Sequence, residues 1–291
     1  MRRYLVLDVF TDVPLEGNPV AVFTDGEGLS DELMQRTARE LNLSETVFLL
    51  APDDGAHDGA HGGADEGADA RARIFTPATE LPFAGHPVLG TAFVLGERLG
   101  TPTVRLQTGA GVITIELRRE RERIVFGEMA QPIPTWTEFA RGEALLHALG
   151  VERSGLPIEV YDNGVRHAYV ELEDDAGVTA VQPDMAALAA LGELGVSCFA
   201  GSGGGWKTRV FAAGLGVPED PATGSAAGPL AVHLARHGRI RFGERIEIRQ
   251  GVEIGRPSLL HGVADGSPER IQRVAVGGGA VLVAEGGYRL D

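Results

Sequence analysis

The sequence predicts an α+β protein built from two similar domains. Each is a curved, mostly antiparallel sheet wrapped around one buried helix, and a pseudo-two-fold axis relates the copies. Three observations predict this. Two proline-bracketed turns, Pro82-Phe83-Ala84-Gly85-His86-Pro87 and Glu219-Asp220-Pro221-Ala222-Thr223-Gly224-Ser225, each run straight into an apolar helical pattern. Laying Gly85-His86 over Gly224-Ser225 also brings Leu95 onto Leu234, and the segments upstream follow a similar plan. Both helical segments are apolar on nearly every side, and a helix with no polar face has to be enclosed.

The elements follow in order. Residues 4–10 read as a first strand, and Leu15-Glu16-Gly17-Asn18-Pro19 turns the chain into Val20-Ala21-Val22-Phe23. Ser30 is an N-cap with Asp31 and Glu32 in the first turn, and Leu33, Met34, Thr37, Ala38 and Leu41 keep helical spacing to about Asn42. Thr46–Leu50 reads as a buried strand. Residues 52–70 are rich in Gly, Ala, Asp and His without any period, which predicts a mobile loop. Arg71–Thr76 is a strand leading to the first turn and its helix over 87–96. Strands at 103–108, 111–118 and 123–127 come next. Pro132 and Pro134 mark a crossing, so the first domain covers 1–128, completed by terminal strands over about 275–291, and the second covers 129–274. The second half repeats the order: a hairpin through Asn163-Gly164, a helix over about 183–194, strands at Cys198-Phe199 and Lys207–Ala213, then a helix over 225–236.

Composition narrows the function. With 291 residues, 43% hydrophobic and 23% charged, the chain is an ordinary globular protein large enough for two domains. A net charge of −15 repels phosphates, which argues against nucleic acid and anionic membrane as partners. No apolar run approaches the roughly 20 residues that span a bilayer. The start, Met1-Arg2-Arg3-Tyr4-Leu5-Val6-Leu7-Asp8, carries charge where a leader would be apolar. Cys198 is the single cysteine, so there is neither an internal disulfide nor a thiol pair, and a reducing cytoplasm is the expected location. There is no P-loop, no G-x-S-x-G elbow and no zinc-type cluster, and no metal is expected.

Two helix starts with uncommitted N–H groups suit an anion, and the sequence predicts that both serve one carboxylate. The residues there resemble the PhzF-like (phenazine biosynthesis) isomerases, within the diaminopimelate epimerase-like fold. The matching text is Asp8-Val9-Phe10-Thr11, Gly17-Asn18-Pro19-Val20-Ala21-Val22, Asn42-Leu43-Ser44-Glu45-Thr46-Val47-Phe48, Arg73-Ile74-Phe75-Thr76-Pro77, Gly85-His86-Pro87, Glu219–Ala226, and Gln250-Gly251 with Gly255-Arg256-Pro257-Ser258. It falls in order over almost the whole chain. The resemblance implies that Glu45 is the catalytic acid/base with His86 and Asp220 as partners, and that Gly85, Gly224 and Ser225 bind substrate. It also implies a small carboxylate substrate, no cofactor, no metal and a homodimer.

Taken alone, Glu45 also suits a capping or surface carboxylate, His86 a core histidine held by a carbonyl, Asp220 a turn aspartate and Ser225 an N-cap. His167, His233, His237, His147 and His261 show no ligand spacing and read as structural. Two alternatives to the isomerase remain open. One is an amino-acid racemase or epimerase, although epimerases of this fold carry two cysteines where this chain has Ala84 and Pro221. The other is a non-catalytic ligand-binding protein.

Overall fold

A computed structural model of the protein describes residues 1–53 and 67–290. Most of the expected mobile segment, with His57 and His61, lies outside the described residues. The chain divides into two compact units, Met1–Ala130 with Gly277–Asp291, and Gln131–Val276.

The first unit contains β1 (Arg2–Val9), β2 (Asn18–Phe23), α1 (Asp31–Leu41), β3 (Glu45–Leu50), β4 (Ala70–Phe75), β5 (Glu80–Leu81), α2 (Gly85–Leu99), β6 (Thr103–Thr108), β7 (Gly111–Glu120) and most of β8 (Arg123–Gln131). The second contains β9 (Thr135–Glu138), α3 (Gly142–Leu149), β10 (Glu159–Asp162), β11 (Arg166–Glu171), α4 (Asp175–Ala180), α5 (Met185–Ala189), β12 (Gly195–Ser202), β13 (Gly205–Ala212), β14 (Val217–Asp220), α6 (Gly224–Arg236), β15 (Ile246–Gln250), β16 (Ser258–Ser267) and most of β17 (Arg270–Gly278). The last strand, β18 (Ala280–Tyr288), pairs antiparallel with β1 from Arg2↔Tyr288 to Val9↔Ala280 and so belongs to the first unit.

Pairing shows that the halves are built alike. In the first, β1–β2 is antiparallel, β2–β3 parallel, β3–β4 and β4–β5 antiparallel, β4–β6 parallel and β6–β7 antiparallel. The second runs through the same signs: β10–β11 antiparallel, β11–β12 parallel, β12–β13 and β13–β14 antiparallel, β13–β15 parallel, β15–β16 antiparallel. The helices α2 and α6 occupy the same place in the two orders.

Both central helices are enclosed, as their composition demands. From Gly85 to Phe93 every residue of α2 is buried, and so is all of α6 from Gly224 to Ala235. Small residues make the enclosure possible: a Cβ on Gly90 would stand 2.8 Å from Val20 Cγ1 and 2.9 Å from Val9 Cγ2, on the first two strands. Aromatic side chains fill the rest of the first unit, where Phe23 stacks on Tyr4 and on Phe48. α1 begins where the sequence places it, with the Leu33 N–H donating to Ser30 Oγ at 3.2 Å, and ends at Asn42 with φ 52°.

Over 183–194 the structure differs from the single helix that the sequence predicts. Asp184 caps a short α5 by accepting the N–H groups of Ala186 and Ala187, and Arg141 donates to the carbonyls of Ala190 and Leu191 just beyond its end. Gly192, at φ 97°, then turns the chain. α3 and α4 have no counterpart in the sequence reading; α3 starts without a side-chain cap, which removes the usual signal.

Candidate active site

Glu45, Gly85 and His86 lie in the first unit. Glu45 opens β3 and pairs in register with Val20 of β2, one residue after Pro19. His86 is the second residue of α2, whose N-cap, Ala84, offers no side-chain acceptor. Its imidazole Nε2 lies 3.2 Å from Glu45 Oε2, with the two side chains only 5% and 15% exposed. The other ring nitrogen donates to the backbone carbonyl of Pro19, since proline has no N–H to give. Burial outweighs that bond and holds the His86 pKa down to about 3. The ring is therefore neutral at physiological pH, with its proton on Nδ1 and a lone pair on Nε2 turned to the carboxyl group. A protonated Glu45 can donate to that lone pair; an ionised one cannot.

Asp220, Gly224 and Ser225 lie in the second unit, around the start of α6. Thr223 Oγ1 donates to Asp220 Oδ2 at 2.6 Å. Gln250 ties the turn together with its whole amide: Nε2 donates to the Asp220 carbonyl at 2.8 Å and to Thr223 Oγ1 at 2.9 Å, while Oε1 accepts from Thr223 N at 3.2 Å and Thr208 Oγ1 at 3.3 Å. All four bonds of a buried amide are thus satisfied, a strong restraint on one backbone turn. The N-cap of α6, Thr223, makes no side-chain cap bond either.

Pro229 sits inside α6 and has no N–H to return to the Ser225 carbonyl. Asn163 replaces it, with Nδ2 3.0 Å from that oxygen. Gln131 Nε2 donates to the Gly224 carbonyl at 2.8 Å and the Tyr169 hydroxyl to the Ala226 carbonyl at 2.7 Å. The acceptors of the first helical turn are occupied from the side, so the tip presents N–H groups. The Ser225 hydroxyl meets His167 Nε2 at 3.1 Å. Burial lowers the His167 pKa to about 4, so this ring too is neutral.

His167, Asn163, Gln131 and Gln250 contact the candidate residues around the start of α6, and sequence reasoning gave none of them a place there. A proline four positions after Ser225 was the available signal for Asn163: it announces a carbonyl that needs an outside donor. Cys198 is buried in β12, and burial pushes its thiol up to about 12.

Among the described residues, one His/Glu group has ligand-capable atoms within 4.8 Å of one another: Glu159, His233 and His237. The guanidinium of Arg236 already stands 2.8 Å from Glu159 Oε2, with His237 Nε2 at 3.0 Å and His233 Nδ1 at 3.2 Å from the same oxygen. Burial would raise the Glu159 pKa, but these donors and Tyr161 outweigh it and hold the carboxyl below its ordinary range. Four donors thus converge on the one oxygen Glu159 Oε2, and the cation beside it is the Arg236 guanidinium.

No helix among the described residues is long and apolar enough to cross a membrane.

Comparison with known proteins gives the site its context. The family model for phenazine biosynthesis-like protein matches residues 7–286. The trans-2,3-dihydro-3-hydroxyanthranilate isomerase of Pseudomonas aeruginosa is 52% identical over 98% of this chain and 99% of its own. The crystal structure of a PhzF-family phenazine biosynthesis protein from Bacillus anthracis superposes with a TM-score of 0.82 at 26% identity, covering 98% of this chain and 97% of that one. A predicted epimerase from Pseudomonas aeruginosa gives 0.80 at 32% identity over 99% of both chains. With a duplicated α+β architecture, the motif residues gathered at two helix starts, and a match to one family along nearly its whole length, this chain belongs to the phenazine biosynthesis-like protein family and is an isomerase of that family.

Proposed function

We propose that the protein moves a proton on a small unsaturated carboxylic acid, with Glu45 as the acid/base. The proton leaves one carbon for the Glu45 carboxylate, the electron pair left behind spreads through the unsaturated system toward the carboxyl group, and the same proton returns to a different carbon. Nothing is gained or lost overall, so the reaction asks for no redox partner and no cofactor. The observation that carries this reading is the neutral imidazole at 3.2 Å from Glu45. Its lone pair can share the proton that Glu45 takes up, which favours the loaded form of the base for the moment it is needed. In this reading Asp220 holds or protonates a polar group of the same substrate. The N–H groups of Gly85 and Gly224, with Ser225, bind its carboxylate, where negative charge grows during proton removal.

The relatives' substrate makes trans-2,3-dihydro-3-hydroxyanthranilate the compound to try first. Turnover in deuterated water measures both the rate and the exchange of the migrating proton. Replacing Glu45→Gln should cut turnover by about 10²–10⁴-fold while ligand binding persists, and a fully active variant would sink the assignment. An amino-acid racemase using two thiols lacks its second thiol in this sequence, and the one present is buried and protonated. A homodimer and a cytoplasmic location complete the proposal. The first follows from the family resemblance and is checked by sedimentation; the second fits a chain whose only thiol is free.

A further inference from the structure

We propose that His167 is a positioning residue, which donates from Nε2–H to Ser225 Oγ and thereby turns the Ser225 hydroxyl into a hydrogen-bond donor for the substrate carboxylate. The inference rests on the reading of Ser225 as a substrate-binding residue and gives that residue its polarity.

The argument starts from where one proton can sit. A neutral imidazole has a single N–H, on Nδ1 or on Nε2. The Nδ1 edge of His167 is buried and meets no hydrogen-bond partner among the described residues. It faces Gly195, its register partner on β12, so closely that a Cβ there would strike Nδ1. A proton on Nδ1 would be a buried N–H with no acceptor, the rarer and costlier orphan in proteins. A proton on Nε2 leaves only a lone pair on that edge and places the N–H on the Ser225 hydroxyl, 3.1 Å away. The other histidine at a helix start shows the opposite case: in His86 the carbonyl of Pro19 draws the proton to Nδ1.

Once a Ser225 lone pair is filled by Nε2–H, its own proton has no bond to make inside the second unit. Ser225 is the second residue of α6, so its hydroxyl sits beside the uncapped N–H groups of that helix. The neighbouring carbonyls are taken by Gln131, Asn163 and Tyr169. Beside the Asp220 carboxylate, the groups left uncommitted on the first turn of α6 are then donors, which suits a carboxylate and disfavours a cation there.

The test has one arm that needs no catalysis. Nitrogen-15 correlation spectra of the resting full-length protein, with His167→Gln identifying the peak, should show His167 with Nε2 of the pyrrole type and Nδ1 of the pyridine type. The reverse assignment overturns the proposal whatever the substrate proves to be. In the second arm, His167→Phe should lower kcat/KM for trans-2,3-dihydro-3-hydroxyanthranilate by roughly tenfold, the worth of one hydrogen bond to a charged group. His167→Gln, whose amide keeps a donor near the Nε2 position, should recover most of that loss. In a Ser225→Ala background the same His167→Phe change should cost nothing further. Additive losses would mean that His167 acts only on the fold. Should the phenylalanine variant not fold, the glutamine variant and the tautomer decide. Failure of the isomerase reading shows separately, as an active Glu45→Gln enzyme.

Discussion

The two helix starts use the same strands for opposite ends. In the first unit the parallel pair β2–β3 sets Val20 beside Glu45, and in the second the parallel pair β11–β12 sets His167 beside Gly195. The helix residue that faces them is His86 in one and Ser225 in the other. The imidazole has moved from helix to strand, and the position that carries a carboxylate in one copy carries no side chain in the other. In the proposed reading one half of the duplicated scaffold holds the acid/base carboxylate, Glu45, beside an imidazole, while the matching strand position of the other half is Gly195 and its helix start offers the Ser225 hydroxyl and backbone N–H groups. Duplication supplies two matching frames, and in that reading a few side chains set one frame to chemistry and the other to binding.

The sharpest way to break this comparison is to treat both frames alike. Glu45→Gln should cost about 10²–10⁴-fold in kcat, the usual worth of general acid–base catalysis, whereas Ser225→Ala should cost only about tenfold and mostly in KM. Equal losses in kcat would mean that the two helix starts are not divided as described.

Acid gives a second test, because both imidazoles are held neutral. An unfolded histidine titrates near 6.5, while His86 resists protonation to about 3 and His167 to about 4. As pH falls below 6.5 the unfolded chain binds protons that the folded one refuses, so stability is full above that value and declines below it. Each histidine contributes a slope of about 1.4 kcal/mol per pH unit, both together down to about pH 4 and His86 alone below. Urea unfolding at a series of pH values should lose part of that slope in His86→Gln and part in His167→Gln.

Gly195→Ala probes the missing side chain directly. Its Cβ would collide with His167, so the ring must swing off Ser225 at a cost of about 1–3 kcal/mol in stability, with activity falling as in His167→Phe. A variant with native stability and activity would show that glycine is not needed there. The smallest effect is expected for Asn163→Leu, which strips the outside donor from the Ser225 carbonyl opposite Pro229. A loss of about 1–2 kcal/mol in thermal or urea unfolding checks it. Pro229→Ala should soften that loss by restoring the N–H.

Legibility followed the range of the interactions. The enclosed helices, the cap at Ser30 and the hairpin through Asn163-Gly164 are local signals, and they stand where the sequence places them. Glu45 and His86 could be singled out by motif, but their 3.2 Å approach depends on β3 lying beside β2 and on the Pro19 carbonyl. His167 looked like one of several scattered histidines because its partner is far along the chain and its significance hangs on a glycine. The split of 183–194 into a short helix and a turn was hidden for a similar reason, since the side chain that ends it is Arg141.

The pairing of β18 with β1 has a consequence for how the molecule is made. During synthesis the opening strand leaves the ribosome with one edge open, and the segment that covers it is translated after all of the second unit. The second unit can close while translation continues; the first must wait. An arrest before residue 280 would strand the half that carries Glu45, and chaperone capture of such stalled chains should concentrate on that uncovered edge.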